Sequence, residues 1–289
     1  MGKPMCLNLQ KAGAELIVTN RSQAIVKELN QESNITGVSS VDEVATHCDI
    51  IILMLSDTTA VENVLFGDSS LEKKGLIHSI KTDSLIIDMG TTAVTPTRDF
   101  ATRLKEHGVD YVDAPVSGGE LGAINASLVI MAGGNETAIA RATPIFDVLG
   151  ASFVHIGDVG AGQIAKAANQ MIVGLTIGAV SEAMTLAQKA GADLSKVREA
   201  LMGGFASSRI LELHGQRMID ETFQPGGKIT TQHKDLTQVL DLAAEYDQDL
   251  PATSLNRRLF QNLIENGNGD LDHSALILAY KKSELLKHN

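Results

Sequence analysis

The stretch Ile50-Ile51-Ile52-Leu53-Met54-Leu55 is apolar at every position, so it lacks the alternation of a strand that has one face in water. An uninterrupted run of this kind is typical of a strand in a parallel sheet, where helices cover both faces. Similar apolar, β-rich runs alternate with polar, helix-compatible stretches throughout the first half of the chain, as in βα units. These runs are residues 16–19, 85–88, 109–113, 128–132 and 153–156. We therefore predict an α/β fold with a parallel sheet of the Rossmann type.

The second half of the chain has a different pattern. From Gly162 onwards the sequence is rich in Ala and Leu, follows the helical period and contains few β-branched runs. Residues 163–190 contain no proline, and Gly191 suits the position after a helix C-terminus, so this segment predicts one long helix. We predict a Rossmann-type domain over residues 1–157, followed by an all-α domain over residues 158–289 for substrate binding and oligomerisation.

The composition is that of an ordinary globular protein of 289 residues, with 44% apolar and 20% charged residues. A net charge of −11 argues against a nucleic-acid partner, because no extended basic face would neutralise phosphates. Cys6 and Cys48 lie far apart without CxxC spacing, so we expect neither a disulfide nor a bound metal, and a cytoplasmic location. The apolar run 171–180 is shorter than the roughly 20 residues that span a bilayer, so we expect no membrane association.

The N-terminal segment is unusual. Residues 2–13 predict the first helix of a dinucleotide-binding βαβ unit, which normally follows a strand and a glycine-rich turn. The N–H groups of that turn meet the pyrophosphate, and here only Gly2 can belong to it. The predicted domain is therefore N-terminally incomplete, and two neighbouring strands would lack a partner. We expect the natural protein to carry about ten more residues upstream, enough for one strand and turn.

The predicted strand at residues 16–19, which would be the second strand of the βαβ unit, indicates which nicotinamide cofactor binds. An NAD-specific site would place an acid at the end of this strand to bind the ribose 2′-hydroxyl, but the sequence there is Asn20-Arg21-Ser22. Asn20 is neutral, Arg21 offers a planar fork of donors and Ser22 offers a hydroxyl, which together suit a 2′-phosphate. We therefore predict NADP as the cofactor, with NAD as the alternative. Arg21 could equally be a solvated residue that opens the next helix.

Three segments carry candidate chemistry: Asp-Ala-Pro-Val-Ser-Gly-Gly at residues 113–119, Gly-Ala-Gly-Gln-Ile-Ala-Lys-Ala-Ala-Asn-Gln at residues 160–170, and His-Lys-Asp-Leu at residues 233–236. Together they are far more specific than any one of them alone. They resemble the β-hydroxyacid dehydrogenase family, and the resemblance covers essentially the whole chain. Motifs for metal-dependent hydrolysis, serine nucleophiles and P-loop phosphoryl transfer are absent from the sequence, which leaves hydride transfer as the predicted reaction.

The resemblance implies that Lys166 is the catalytic residue and that Asn169 contacts the substrate. The spacing agrees, because Lys166, Asn169 and Gln170 project from one helical face, and we assign Gln170 to the substrate as well. A reductase must protonate the oxygen that becomes an alkoxide as hydride arrives, and a positioned ammonium supplies both charge and proton. Without the surrounding motif, a lysine near a helix start would be interpreted as a solvated surface residue.

The segment Ser117-Gly118-Gly119 resembles the family's cradle for a substrate carboxylate. Two glycines let backbone N–H groups approach an anion closely, and the serine hydroxyl adds a donor. The alternative is an ordinary turn at the end of a strand. The expected partner is thus a small substrate that bears a carboxylate.

Five further residues are predicted to bind the cofactor. By the resemblance, Thr91 lies near the nicotinamide, Lys234 lies near the cofactor and the catalytic lysine, and Asp235 orients it. Leu55 and Ser56 follow a strand, where ligands of open α/β sheets bind. Lys234 and Asp235 could instead form a surface pair that contributes little.

The tail of the sequence bears on the substrate. The family resemblance implies an NADP(H)-dependent oxidoreductase that interconverts a small β-hydroxyacid and its semialdehyde. Residues 270–276 resemble the tail of tartronate semialdehyde reductases, which favours 2-hydroxy-3-oxopropionate as the substrate. The alternatives are a 3-hydroxyisobutyrate dehydrogenase and a succinic semialdehyde/glyoxylate reductase. An alternative of another class is a truncated, non-catalytic homologue that cannot bind dinucleotide. The apolar, small-residue surface of the long helix predicts a homodimer or homotetramer.

Overall fold

The structure is a computed structural model that describes residues 1–68 and 73–281. The chain divides into two compact units, Met1–Lys166 and Ala167–Asn289. The strands, all in the first unit, are β1 (Leu16–Val18), β2 (Ile35–Gly37), β3 (Ile50–Leu53), β4 (Gly67–Asp68), β5 (Lys73–Lys74), β6 (Leu85–Asp88), β7 (Asp110–Asp113), β8 (Val116–Ser117), β9 (Leu128–Gly133) and β10 (Gly150–Gly157). The helices are α1 (Gly2–Lys11), α2 (Gln23–Leu29), α3 (Val41–His47), α4 (Thr58–Phe66), α5 (Val94–Lys105), α6 (Gly119–Ile124), α7 (Glu136–Leu149), α8 (Ala161–Lys189), α9 (Leu194–Met202), α10 (Arg209–Asp220), α11 (Ile229–Glu245), α12 (Pro251–Glu265) and α13 (Ile277–Lys281). In the described part of the chain, two 3-10 turns occupy Leu76–His78 and His273–Leu276.

The main sheet of the first unit is interrupted on one side. Its strand order is β10-β9-β7-β6-β3, with β8 paired to β9 off that path, whereas β1 and β2 form a separate parallel pair. Strands β3, β6 and β7 are mutually parallel and β10 is parallel to β9, but β9 runs antiparallel to β7 and β8. The chain reverses there because the segment between β7 and β9 folds back as β8 and the short helix α6 instead of a crossover helix.

Helices cover both faces of the main sheet, as the sequence predicts. The side chains of Leu85 and Ile87 in β6 point into one core, and Ile86 between them points into the other. The first core is closed by α1, α6 and α7, and the second by α3, α4 and α5. All four residues of β6 are buried, which places this strand at the centre of the unit. The predicted α/β domain with a parallel-dominated sheet is confirmed.

The stretch 50–55 is less buried than expected. Ile51 and Leu53 are 4% and 5% exposed, but Ile50 is 38% exposed and Ile52 is half-buried. The reason is that β3 is the last strand of the main sheet and, within residues 1–68 and 73–281, pairs on one side only, with β6. The expectation of complete burial on both faces is therefore wrong for this strand, although it holds for β6.

The second unit is all-helical, as predicted. Its described elements are helices and one 3-10 turn, and its core is built from α8 and the helices that follow it. The predicted long helix is confirmed: α8 ends at Lys189, and Gly191 adopts a φ of +86° just beyond it. Gly178 allows close packing within this unit, because a Cβ there would lie 2.3 Å from Asn256 Nδ2.

By length and composition alone, α8 could cross a membrane, since an 18-residue window of it has a mean hydropathy of 1.3. The core helix of a globular protein satisfies the same test. Ile177 and Met184 of α8 are 0% exposed and pack inside the second unit. We therefore describe α8 as a core helix.

Candidate active site

The first turn of α8 is fixed to the end of β7 by a buried carboxylate. Asp113 accepts hydrogen bonds from the N–H groups of Gly160, at 2.7 Å, and Gln163, at 2.8 Å. These N–H groups lie at a helix N-terminus, where backbone donors otherwise lack partners. Burial raises the pKa of Asp113 to about 7, although the two N–H groups act in the opposite direction. Gly162 is required for this close approach, because a Cβ there would lie 2.4 Å from the Met131 carbonyl oxygen.

Gln163 joins the same helix to the loop that follows β6. Its Nε2 donates to the carbonyl of Gly90 at 3.0 Å, and its Oε1 accepts the N–H of Thr92 at 3.0 Å. Asp88, at the end of β6, holds the loop from the other side by accepting the Gly90 N–H, the Thr92 hydroxyl and the Tyr111 hydroxyl. Gln163 is 2% exposed and Asp88 is 0% exposed. The loop at residues 90–92 is therefore held between two buried polar side chains.

Lys166 follows Gln163 by three residues on α8 and is buried, with an exposed fraction of 7%. Its Nζ donates to the carbonyl of Val116 at 2.8 Å, and the next residue is Ser117. The structure thus brings the predicted catalytic lysine beside the Ser-Gly-Gly turn. The alternative of a solvated surface lysine is wrong, because the ammonium group lies inside the first unit.

The Ser-Gly-Gly turn has a backbone that favours glycine. Gly118 adopts a φ of +132° and Gly119 a φ of +62°, which L side chains rarely adopt. Both glycines are exposed, and the hydroxyl of Ser117 makes no side-chain hydrogen bond within the described parts of the chain. The turn therefore offers an accessible backbone and an uncommitted hydroxyl next to the buried amine.

Leu55, Ser56 and Thr91 lie at the carboxyl ends of β3 and β6. A Cβ on Gly90 would lie 2.9 Å from the Leu55 carbonyl oxygen, so the two loops touch through their backbones. The Ala93 N–H also donates to the Thr58 hydroxyl at 3.0 Å. Loops at the carboxyl ends of parallel strands are where open α/β sheets bind ligands.

The predicted residues of the second unit form a network of their own. Asn169 donates to Gln170 at 2.8 Å, and Gln170 in turn donates to Asp235. Lys234 forms an ion pair with the same carboxylate, at 2.9 Å. Asp235 is 3% exposed, so the alternative of a surface pair is wrong. Within this unit, the four residues hold one another in place.

Residues near the N-terminus are compatible with a dinucleotide. Helix α1 begins at Gly2, has no acidic residue in its first turn, and lies close to Met54 just after β3. Its first N–H groups therefore suit an anionic pyrophosphate. Asn20, Arg21 and Ser22 are exposed beyond β1, and Ser22 precedes α2 without capping it through its hydroxyl. These features fit a phosphorylated ligand.

Two family models match the chain. The NAD binding domain of 6-phosphogluconate dehydrogenase matches residues 1–157, and the NAD-binding region of NADP-dependent 3-hydroxyisobutyrate dehydrogenase matches residues 160–280. A relative from Escherichia coli (strain K12), 2-hydroxy-3-oxopropionate reductase, is 46% identical over 279 residues, which is 96% of this chain and 93% of the relative. The chain belongs to the β-hydroxyacid dehydrogenase family.

Other β-hydroxyacid dehydrogenases resemble the chain over similar lengths. Probable 3-hydroxyisobutyrate dehydrogenase-like 1, mitochondrial, from Arabidopsis thaliana is 33% identical and covers 98% of this chain and 83% of its own. The crystal structure of 3-hydroxyisobutyrate dehydrogenase from Salmonella typhimurium superposes with a TM-score of 0.86 at 27% identity, covering 96% of this chain and 95% of that one. This β-hydroxyacid dehydrogenase is accordingly an enzyme that oxidises a CH–OH group, or reduces the corresponding carbonyl group, with a nicotinamide dinucleotide.

The sequence interpretation missed four residues that hold the site of this β-hydroxyacid dehydrogenase together. They are Asp88, Thr92, Asp113 and Gln163. Asp88 and Asp113 each end an apolar strand, and Gln163 lies inside the segment that carries Lys166. An acid at the end of a buried strand is the signal that could have identified Asp88 and Asp113, because a buried charge requires partners.

Proposed function

We propose that this enzyme is an NADPH-dependent reductase of 2-hydroxy-3-oxopropionate, with Lys166 as the proton donor and the turn at residues 117–119 as the carboxylate cradle. The observation that carries the proposal is the buried Lys166 amine, 2.8 Å from the Val116 carbonyl and next to that turn. A cation and a set of hydrogen-bond donors that lie side by side suit a small molecule with a carbonyl near a carboxylate.

The protein side of the reaction follows from these positions. Ser117 and the backbone of Gly118 and Gly119 bind the substrate carboxylate and orient the carbonyl oxygen towards Lys166. The nicotinamide supplies the hydride to the carbonyl carbon when the cofactor is bound. Lys166 stabilises the negative charge that develops on the oxygen and transfers one Nζ proton to it, which gives the hydroxyl group. The neutral amine then takes a proton from water.

The residues beyond Lys166 on α8 complete the proposal. Asn169 and Gln170 follow Lys166 by three and four residues, and we assign both to substrate binding. Asp235 and Lys234 are assigned to the cofactor side, where Asp235 also fixes the side chain of Gln170. Leu55, Ser56 and Thr91 are assigned to the cofactor because they lie at the carboxyl ends of β3 and β6.

The choice of substrate rests on similarity. The Escherichia coli relative at 46% identity is named 2-hydroxy-3-oxopropionate reductase, whereas the Arabidopsis relative named for 3-hydroxyisobutyrate is 33% identical. Initial rates with 2-hydroxy-3-oxopropionate, methylmalonate semialdehyde and succinic semialdehyde, each with NADPH, test the choice. We expect the highest kcat/KM with 2-hydroxy-3-oxopropionate. A tenfold preference for either of the others would replace it.

The preference for NADPH is proposed from the residues after β1. Arg21 is exposed and forms no ion pair within residues 1–68 and 73–281. Its neighbours in sequence, Asn20 and Ser22, are not acidic. A charge-assisted bond to a 2′-phosphate contributes about 1.5–3 kcal/mol, so Arg21→Ala should weaken NADPH binding by roughly 10–100-fold. NADH binding should change little. Lys27→Ala, which removes an exposed cation on α2, is the matched control, and calorimetric titration measures both cofactors. Equal losses for NADPH and NADH would contradict the assignment.

A further inference from the structure

Two histidines of the second unit face each other with their ring nitrogens. His214 lies on α10 and His273 opens the 3-10 turn before α13. Their rings meet edge to face at an interplanar angle of 89°, with centroids 4.6 Å apart. The two Nε2 atoms are 3.2 Å apart. Nothing in the proposed hydride transfer uses this pair.

The other nitrogen of each ring faces an oxygen acceptor. His214 Nδ1 lies 3.6 Å from Asp272 Oδ1, and His273 Nδ1 lies 3.4 Å from Gln232 Oε1. A proton on each Nδ1 would leave a lone pair on each Nε2, and two lone pairs 3.2 Å apart repel each other unless an electrophile lies between them.

The carboxylate beside His214 is committed elsewhere. Asp272 is 0% exposed and accepts hydrogen bonds from Ser274 and Gly226, together with an ion pair from Arg217 at 2.7 Å. The oxygens of Asp272 therefore already have donors, which leaves the two ring nitrogens of this cluster as ligands for an ion.

A metal ion fits the space between the two rings. Two imidazole nitrogens at about 2.0–2.1 Å from a tetrahedral zinc ion are roughly 3.3–3.4 Å apart, close to the separation of the two Nε2 atoms.

We propose that His214 and His273 bind one divalent transition-metal ion of the zinc class through their Nε2 atoms, with water completing the coordination. The nitrogen ligands select ions such as zinc, cobalt, nickel and copper over calcium and magnesium, which prefer oxygen. The sequence predicts no metal site because it contains neither paired cysteines nor an HExxH motif. The two ligands here are 59 residues apart, so no local motif reveals them.

Such an ion would link α10 to the turn that precedes α13. The His214 side chain is 15% exposed, so an ion can enter from solvent. Binding to the folded form alone stabilises it by mass action, so zinc should raise the melting temperature of the protein. Neither histidine is assigned a role in the proposed hydride transfer, so a test of metal binding does not depend on the proposed function.

Calorimetric titration of the metal-free full chain with zinc chloride tests the proposal, with cobalt absorption as a second readout of tetrahedral coordination. We expect one ion per chain. His214→Ala and His273→Ala should each weaken binding at least tenfold and abolish the rise in melting temperature. His107→Ala removes an exposed histidine of the first unit and should leave binding unchanged. Equal affinity in the wild type and the double variant would overturn the proposal.

A measurement on the wild type covers the case in which a variant does not fold. Imidazole proton resonances can be followed by NMR as zinc is added. Two of the eight histidines should shift together and saturate at one equivalent. Shifts spread over many histidines, or none at one equivalent, would mean that the pair shares only a proton.

Discussion

Replacement of Lys166 by Met is the sharpest test of the proposed proton donor. Lys166 is 7% exposed and its Nζ lies 2.8 Å from the Val116 carbonyl, so Met retains most of the buried stem while the ammonium is lost. Removing one donor from a developing oxyanion costs about 10²–10³ in kcat. Losing the general acid costs roughly 10²–10⁴. Because one group performs both roles, the losses overlap, and we expect kcat to fall about 10³-fold.

The same variant carries a stability cost that must be measured separately. The Val116 carbonyl loses a buried donor, which costs about 1–3 kcal/mol in the free energy of unfolding. Rates are therefore measured from NADPH absorbance well below the melting temperature of the variant, and NADPH affinity is measured by fluorescence. We expect that affinity to stay within about twofold, since the lost interaction acts in the transition state.

Lys166→Arg separates charge from proton transfer. Arginine keeps the positive charge and the donors, but a guanidinium has a higher pKa than an ammonium and so releases a proton far more reluctantly. The rate should lie between those of the wild type and Lys166→Met. If Lys166→Met retained more than a tenth of the wild-type kcat, the role of the amine as proton donor would be refuted.

Two further variants test the residues that hold the site. Gln163→Leu removes both hydrogen bonds to the loop after β6. Loss of a buried hydrogen-bond partner costs about 1–3 kcal/mol, and these bonds position the reacting groups, so we expect kcat to fall roughly 10–100-fold while KM changes little. A matching rise in KM would instead indicate that substrate binding is lost. Asp113→Asn tests the pH dependence of stability. The pKa of Asp113 is raised from 3.8 to about 7 in the folded protein, so its contribution is complete below pH 3.8 and is lost as pH rises through about 7. Urea unfolding should show a slope of up to about 1.4 kcal/mol per pH unit in that window, and the variant should lack this slope; an unchanged slope would assign it to another group.

The sequence predicted the fold well where hydrophobic pattern determines it. Strand β6 and helix α8 lie where the apolar runs and helical period indicate them. Strands β2 and β8 were missed because their sequences, Ile-Thr-Gly and Val-Ser, are too short and too polar to form an apolar run. The partial exposure of β3 was missed because burial depends on which strand lies beside it.

The site was predictable in its residue types but less so in its connections. Lys166 and the turn at residues 117–119 follow from motif resemblance, yet their contact runs through the Val116 carbonyl, 50 residues away in sequence. Gln163 reaches Gly90 across 73 residues. No local pattern predicts contacts between residues so far apart in sequence, because these contacts form only when the first turns of α8 pack against the ends of β6 and β7.

Gln163 connects the two sides of the proposed reaction. On α8 it lies one turn before Lys166, which faces the substrate oxygen in our proposal. Its side chain holds both residues that flank Thr91, which we assign to the nicotinamide side. Hydride and proton must reach adjacent atoms of one carbonyl group, so an error of about 1 Å in their relative positions can cost roughly 10²-fold in rate. Gln163 is a buried residue of α8 that is hydrogen-bonded to the loop at residues 90–92, so it limits that error without contacting the substrate in our proposal. For this reason Gln163 should affect kcat more than KM.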